Sequence, residues 1–251
     1  MGWTDTSVCL THPESAPPPP ADLMADLRRQ GVTTAWIFGY KALQSHDFDA
    51  ENALVEHTAR QFPDELMPIA LVNPFHAERQ IEGLIGRGFK GVKILSGWGN
   101  WLTIDNIRRT VVPLAKILAA NRLHLSIALE GNFPLRGGSV YLPLLIREAC
   151  PEISLVLDRC WTPHTWLDYL TIAEEDTTLW FTLHDLAPKL LRQVIERLGL
   201  SRVVLGSWHP DHAPGDVFAR LLSCSAMQPA ELEALLTRNA AQILAGSHPV
   251  A

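Results

Sequence analysis

No stretch of the chain reaches 18 consecutive apolar residues, so no membrane-spanning helix is expected. The N-terminus has no basic segment followed by an apolar run, and no secretory signal is read there. Cysteine is sparse. Cys9, Cys150, Cys160 and Cys224 lie far apart without C-x-x-C spacing, which argues against a disulfide framework or a structural zinc motif and fits reduced thiols in a cytoplasm. Positive charge is not in excess: a net charge of -6 argues against non-specific nucleic-acid binding. No G-x-G-x-x-G follows the first apolar run, which counts against a dinucleotide-binding sheet. Neither an internal repeat nor a linker is visible, so residues 1–251 are read as a single domain.

What is present is a sizeable hydrophobic fraction, 47% against 19% charged, enough for a large core. Short aliphatic runs alternate with longer helical stretches. Strands are predicted over 6–10, 33–39, 67–73, 91–95, 124–130, 153–159, 179–184 and 203–207. These runs do not alternate strictly in polarity, as expected of parallel strands buried on both faces. Helices are predicted over 21–30, 51–61, 76–87, 104–120, 140–149, 164–174, 188–198 and 216–222, with an extra C-terminal helix over 229–245. Eight strand–helix units in about 225 residues predict an α/β fold of the (β/α)8 TIM-barrel type rather than an open doubly wound sheet. The run "APPPP" (16–20) is read as an extended loop after the first strand.

In such a barrel, chemistry sits at the C-terminal ends of the strands. Taken in that order, the chain resembles the amidohydrolase superfamily, in its amidohydrolase-related branch of metal-dependent hydrolases and decarboxylases. "TDTSVCL" (4–10) resembles an I-D-x-H-x-H-L first strand, with Ser7 and Cys9 where the histidines would stand. "RRQGVTTAWIFG" and "IALVNP" resemble the second and third strands. "GRGFKGVKIL" resembles a G-F-x-G-[VI]-K-[LF] fourth strand and is the most specific match. "VVLGSWHP" resembles V-L-F-G-S-D-Y-P at the eighth strand, and "LLTRNAAQIL" the closing helix, with Asn239 and Ala240 as its N-A pair.

The resemblance implies five metal-ligand positions, and all five have changed. They fall on Ser7, Cys9, Ala128, Arg159 and Trp208. A hydroxyl, a thiol, a methyl, a guanidinium and an indole do not supply the clustered N, O and S donors that zinc requires. Without a metal, water stays far too weak an acid to give hydroxide at neutral pH, and the usual nucleophile is lost. Neither a metal nor another cofactor is expected.

Two function classes follow. In the first, the changed residues refill a vacated site, as barrel interiors are packed cores. Arg159 would take the space and charge of the missing cation, Glu130 would pair with it, and Trp208 would plug the hollow. The protein would then be a non-catalytic partner subunit, scaffold or regulator. In the second, the protein is a metal-independent hydrolase or lyase on a small carboxylated or phosphorylated molecule. Lys41, Lys93, Glu130, Arg159 and Trp208 would line its ligand, with Tyr40, Asn73, Asn132 and His184 at neighbouring strand ends. Cys9, Lys93 and Arg159 are its candidate catalytic groups, Cys9 as a nucleophile with a cation-lowered pKa. A rebuilt metal site from His184, Asp185, His209, Asp211, His212, Cys160 and His164 is a third reading, without a recognised motif. The loops "SGWGNW" and "PLRGGSV" are read as turns or covers. Eight tryptophans, among them Trp98, Trp101, Trp161 and Trp166 on the same face, lead to the expectation of an oligomer with itself or with a related chain.

Overall fold

The computed structural model describes residues 2–12, 16–95, 103–129, 138–161, 165–184, 186–224 and 227–249, the side chains of 138–140 and 224 excepted. Eight parallel strands form one sheet in sequential order: β1 (Trp3–Thr11), β2 (Val32–Gly39), β3 (Leu66–Leu71), β4 (Gly91–Leu95), β5 (His124–Ala128), β6 (Leu155–Asp158), β7 (Trp180–Leu183) and β8 (Val203–Leu205). Helices fill the connections: α1 (Pro20–Arg29), α2 (Ala42–Ser45), α3 (Phe48–Gln61), α4 (Ala77–Leu84), α5 (Ile104–Asn106), α6 (Val112–Ala120), α7 (Gly138–Ala149), α8 (Trp166–Glu175), α9 (Pro188–Leu198) and α10 (Pro214–Cys224). The C-terminal helix follows as α11 (Pro229–Glu233), a π turn (Ala234–Arg238) and α12 (Asn239–Leu244). The fold is therefore the expected (β/α)8 barrel.

The helices start and stop for local reasons. Pro20 opens α1, where its missing N–H costs nothing and its fixed φ suits the first turn. Asp47 caps α3 by accepting from the Ala50 amide. The long helix expected over 104–120 is interrupted by a π turn at Ile107–Val111, ahead of Pro113, which sits in the first turn of α6. The short α2 and both π turns carry no periodicity by which they could be read from sequence.

Two apolar layers result. The outer one lies between sheet and helices and includes Leu10, Val92, Ile94, Leu125, Ile127, Leu155 and Leu157. The inner one fills the barrel: Cys9, Trp36, Phe38, Ile69, Leu71, Leu95, Ala128, Val156, Trp180, Val204 and Trp208, with Ala240 and Ile243 of α12 packed against it. Asn239 fastens that last helix, donating from Nδ2 to the carbonyls of Leu200 (2.8 Å) and Val203 (2.7 Å). Gly91 of the fourth-strand motif also has a packing reason. A Cβ there would meet the His124 ring at 2.2 Å.

The barrel closes between β1 and β8 through an isolated parallel bridge, Val8–His209. The Trp208 amide donates to the Ser7 carbonyl (2.7 Å) and the Cys9 amide to the His209 carbonyl (2.8 Å). Buried Asp5 reinforces this seam. Its Oδ1 accepts from the amides of Ser7 (3.1 Å) and Ser207 (3.0 Å), and its Oδ2 accepts from the Ser207 hydroxyl at 2.5 Å. Gly206 lets the strands approach: a Cβ at that position would lie 3.0 Å from the Ser7 Cβ.

Candidate functional site

At the C-terminal end of the barrel, side chains from β1, β2, β4 and β6 and from the segment after β8 converge on Lys93. Its Nζ donates to Asp158 Oδ2 at 2.7 Å and to Ser7 Oγ at 2.9 Å. The Ser7 hydroxyl donates in turn to Asp158 Oδ2 at 2.8 Å. The Trp208 indole N–H reaches the same carboxylate, 3.0 Å from Oδ2 and 3.2 Å from Oδ1. The Phe38 and Trp208 rings lie 4.2 and 4.8 Å from Nζ, centroid to nitrogen. Ser7 and Lys93 are each 1% exposed and Asp158 and Trp208 fully buried, so this network is sealed by its own members.

Electrostatics follow from that burial. Desolvation alone would push the Asp158 carboxyl up. The Lys93 charge and hydrogen bond, with His184 and Ser7, outweigh it and hold the group below the ordinary carboxylate value. Asp5 has no such close cation. Burial raises it to about 6 against the Ser207 and Ser7 hydrogen bonds that work to lower it. Burial also pushes the Cys9 thiol well above its ordinary value, outweighing Lys93. The expectation of a lowered Cys9 pKa is therefore corrected: the thiol is protonated at neutral pH, and only a thiolate would be a strong nucleophile.

Arg159 does not take the position foreseen for it. Asp158 is the last residue of β6 and is in register with Ala128, so the inward-facing position belongs to Asp158. The chain then turns at Arg159, whose φ is +52°. Its guanidinium lies over the Trp208 ring at 4.2 Å and 3.9 Å from Asp211 Oδ2, about one-quarter exposed. Trp208 sits at a matching turn after β8 with φ +59°. Left-handed backbone at a non-glycine residue costs about 1–2 kcal/mol, and here it brings Trp208 inward as the plug.

Other candidates divide. Tyr40 meets the Trp208 ring edge-on at 5.8 Å and stacks at 6.2 Å with His12, whose Nε2 lies 3.3 Å from Asp211. These groups form the rim. Lys41 is exposed and contributes its amide, not its ammonium, to Thr11 Oγ1. Asn73 is occupied in its own turn, accepting from the Phe75 amide. Trp161 is buried, with its indole N–H on the Thr182 carbonyl, and Trp166 is partly buried against the core, so neither is an exposed aromatic anchor. Glu130, Asn132, Trp98, Trp101, His164, Asp185, the loop 96–101 and residues 134–137 of the second glycine-bearing loop lie outside the described residues, and so does the proposed Arg159–Glu130 pair, while 138–140 of that loop open α7. Asp158 was not among the sequence candidates, although it directly precedes Arg159, which was.

The donor set does not fit a divalent metal. Ser7, Cys9, Ala128, Arg159 and Trp208 offer no clustered ligands, and a lysine ammonium stands among them. Among the described residues, no group of three or more His, Cys, Asp or Glu could hold a metal ion. His209 of the rebuilt-site reading points elsewhere, 3.6 Å from Asp26 of α1.

The fold and this interior thus define a (β/α)8 barrel whose strand ends carry a self-satisfied polar network. The sequence model of the family described as amidohydrolase matches residues 12–245, and the chain belongs to that family. No curated protein matches the chain. Among solved structures it is similar in fold to 2,6-dihydroxybenzoate decarboxylase from Rhizobium, at 11% identity and TM-score 0.70, covering 97% of this chain and 98% of that one. It is also similar to 5-carboxyvanillate decarboxylase from Sphingomonas paucimobilis, at 14% identity and TM-score 0.71, covering 97% and 98%. A third, an uncharacterized TIM-barrel protein from Bordetella bronchiseptica, has 14% identity and TM-score 0.72 over 97% and 99%.

Proposed function

We propose that this chain is a non-catalytic member of the amidohydrolase family, working as a partner subunit, scaffold or regulator. The observation that carries the reading is Trp208. It is fully buried, bonds Asp158 and covers the Lys93 ammonium. A general base or nucleophile must come within hydrogen-bond reach of a substrate atom. Here the buried polar groups spend their hydrogen bonds on one another, and the thiol is held protonated by burial.

A second reading, a metal-independent hydrolase or lyase on a small carboxylated or phosphorylated molecule, draws support from two observations. Two of the similar folds are decarboxylases. The partly exposed Arg159, stacked on Trp208 beside His12 and Tyr40, has the chemistry to hold a carboxylate. The test is a turnover assay of the purified protein on aromatic carboxylates, lactones and phosphate esters, with and without added zinc or manganese. No product above the heat-inactivated control is expected. Product that disappears in folded Arg159→Met would replace the non-catalytic reading with the second one.

A further inference from the structure

We infer that the barrel holds an organic-ammonium site whose resident ligand is the chain's own Lys93, at the level where the family resemblance implies a divalent cation. Four groups enclose Nζ, and none is a sequence neighbour of Lys93. Asp158 Oδ2 lies at 2.7 Å and Ser7 Oγ at 2.9 Å. The Phe38 face lies at 4.2 Å and the Trp208 face at 4.8 Å. The carboxylate supplies the counter-charge, the hydroxyl accepts a second N–H, and both aromatic faces present the negative side of their quadrupoles. Trp208 contributes twice, because its indole N–H also fixes the Asp158 carboxylate.

The same walls disfavour a transition metal. Zinc takes about four N, O or S ligands at roughly 2.0–2.3 Å. Two of the walls here are π faces without a lone pair to give, and the two oxygens are one carboxylate and one neutral hydroxyl. The cage therefore selects a primary ammonium, and it receives one covalently. Charge at the barrel centre is balanced without a metal supply and cannot be stripped by a chelator. This holds whether or not the barrel has an activity, so discovery of turnover would leave it in place.

The test removes the tethered ligand and offers it back. Lys93→Ala deletes a fragment equivalent to n-propylammonium and leaves the carboxylate, the hydroxyl and both rings. Its thermal midpoint should fall well below wild type. Millimolar n-propylammonium chloride should then raise it by at least about 2 °C in a concentration-dependent way. Sodium chloride and tetramethylammonium chloride of equal ionic strength, and 1-propanol, should not. Wild type should respond to none of them. If Lys93→Ala is insoluble as expressed, its refolding yield from urea with and without n-propylammonium reads the same property. Rescue no better than sodium chloride overturns the inference. In parallel, wild-type protein is titrated calorimetrically with zinc and manganese, and its metal content is measured after dialysis. No saturable site and no stoichiometric metal are expected. A micromolar site that disappears in the Asp158→Asn variant overturns the inference in favour of a true metal centre.

Discussion

Lys93 Nζ and Asp158 Oδ2 meet at 2.7 Å from neighbouring quarters of the barrel wall, both side chains buried. Leaving one member of such a pair alone is costly: an uncompensated buried charge typically loses about 3–5 kcal/mol, whereas removing both charges with little change of volume is often near neutral. Lys93→Met and Asp158→Asn should therefore each destabilise strongly, and the double variant should recover most of the loss. Urea unfolding of the four proteins checks this. Additive single effects would mean that the two groups do not interact.

Asp5 makes stability depend on pH in the opposite sense to an ordinary salt-bridged carboxylate. Its ordinary value is 3.8 and its folded value is raised to about 6 by burial at the β1–β8 seam. Between these values the folded chain binds a proton that the unfolded chain has released. Stability from this residue is therefore greatest at low pH and falls as pH rises through about 4 to 6, by about 3 kcal/mol in all. Asp5→Asn should flatten that part of the urea-midpoint profile between pH 4 and 7. A profile unchanged by the substitution would show that Asp5 titrates normally.

Self-association, or association with a related chain, is expected to involve an apolar patch on the outer surface. Tyr141 and Leu144 on α7 and Leu167 on the adjacent α8 are exposed apolar residues, of the kind found in interfaces. Light scattering at micromolar concentration should give more than one chain per particle, and Tyr141→Lys with Leu167→Lys should reduce it. A monodisperse wild-type monomer that co-purifies with no related chain removes the expectation.

Arg159 separates the two functional readings. Arg159→Met keeps much of the bulk over Trp208 and removes the charge near Asp211. Under the non-catalytic reading the folded variant complements a deletion strain. Under the enzyme reading, loss of one charge-assisted contact costs about 1.5–3 kcal/mol, or roughly 10- to 100-fold in ligand affinity. Failure to complement at normal abundance and folding would favour the enzyme.

The strands were legible because parallel strands buried on both faces must be short aliphatic runs, and β4 and α9 fall where composition and punctuation put them, at 91–95 and 188–198. The residue types at the five positions matched to metal ligands were legible too, since a matched position needs no tertiary structure to be read. What sequence did not determine was the replacement. The resemblance put Arg159 at a metal-ligand position facing the barrel interior, but β6 ends at Asp158 and the backbone turns left-handed at the next residue. Ser7, Lys93 and Asp158 are separated by 86 and 65 residues, and only strand order, register and the seam between β1 and β8 bring them within 3 Å of one another. A residue's chemistry is written locally, but which charge it neutralises is decided by the closure of the barrel, because a buried cation must find its counter-ion wherever the fold delivers one.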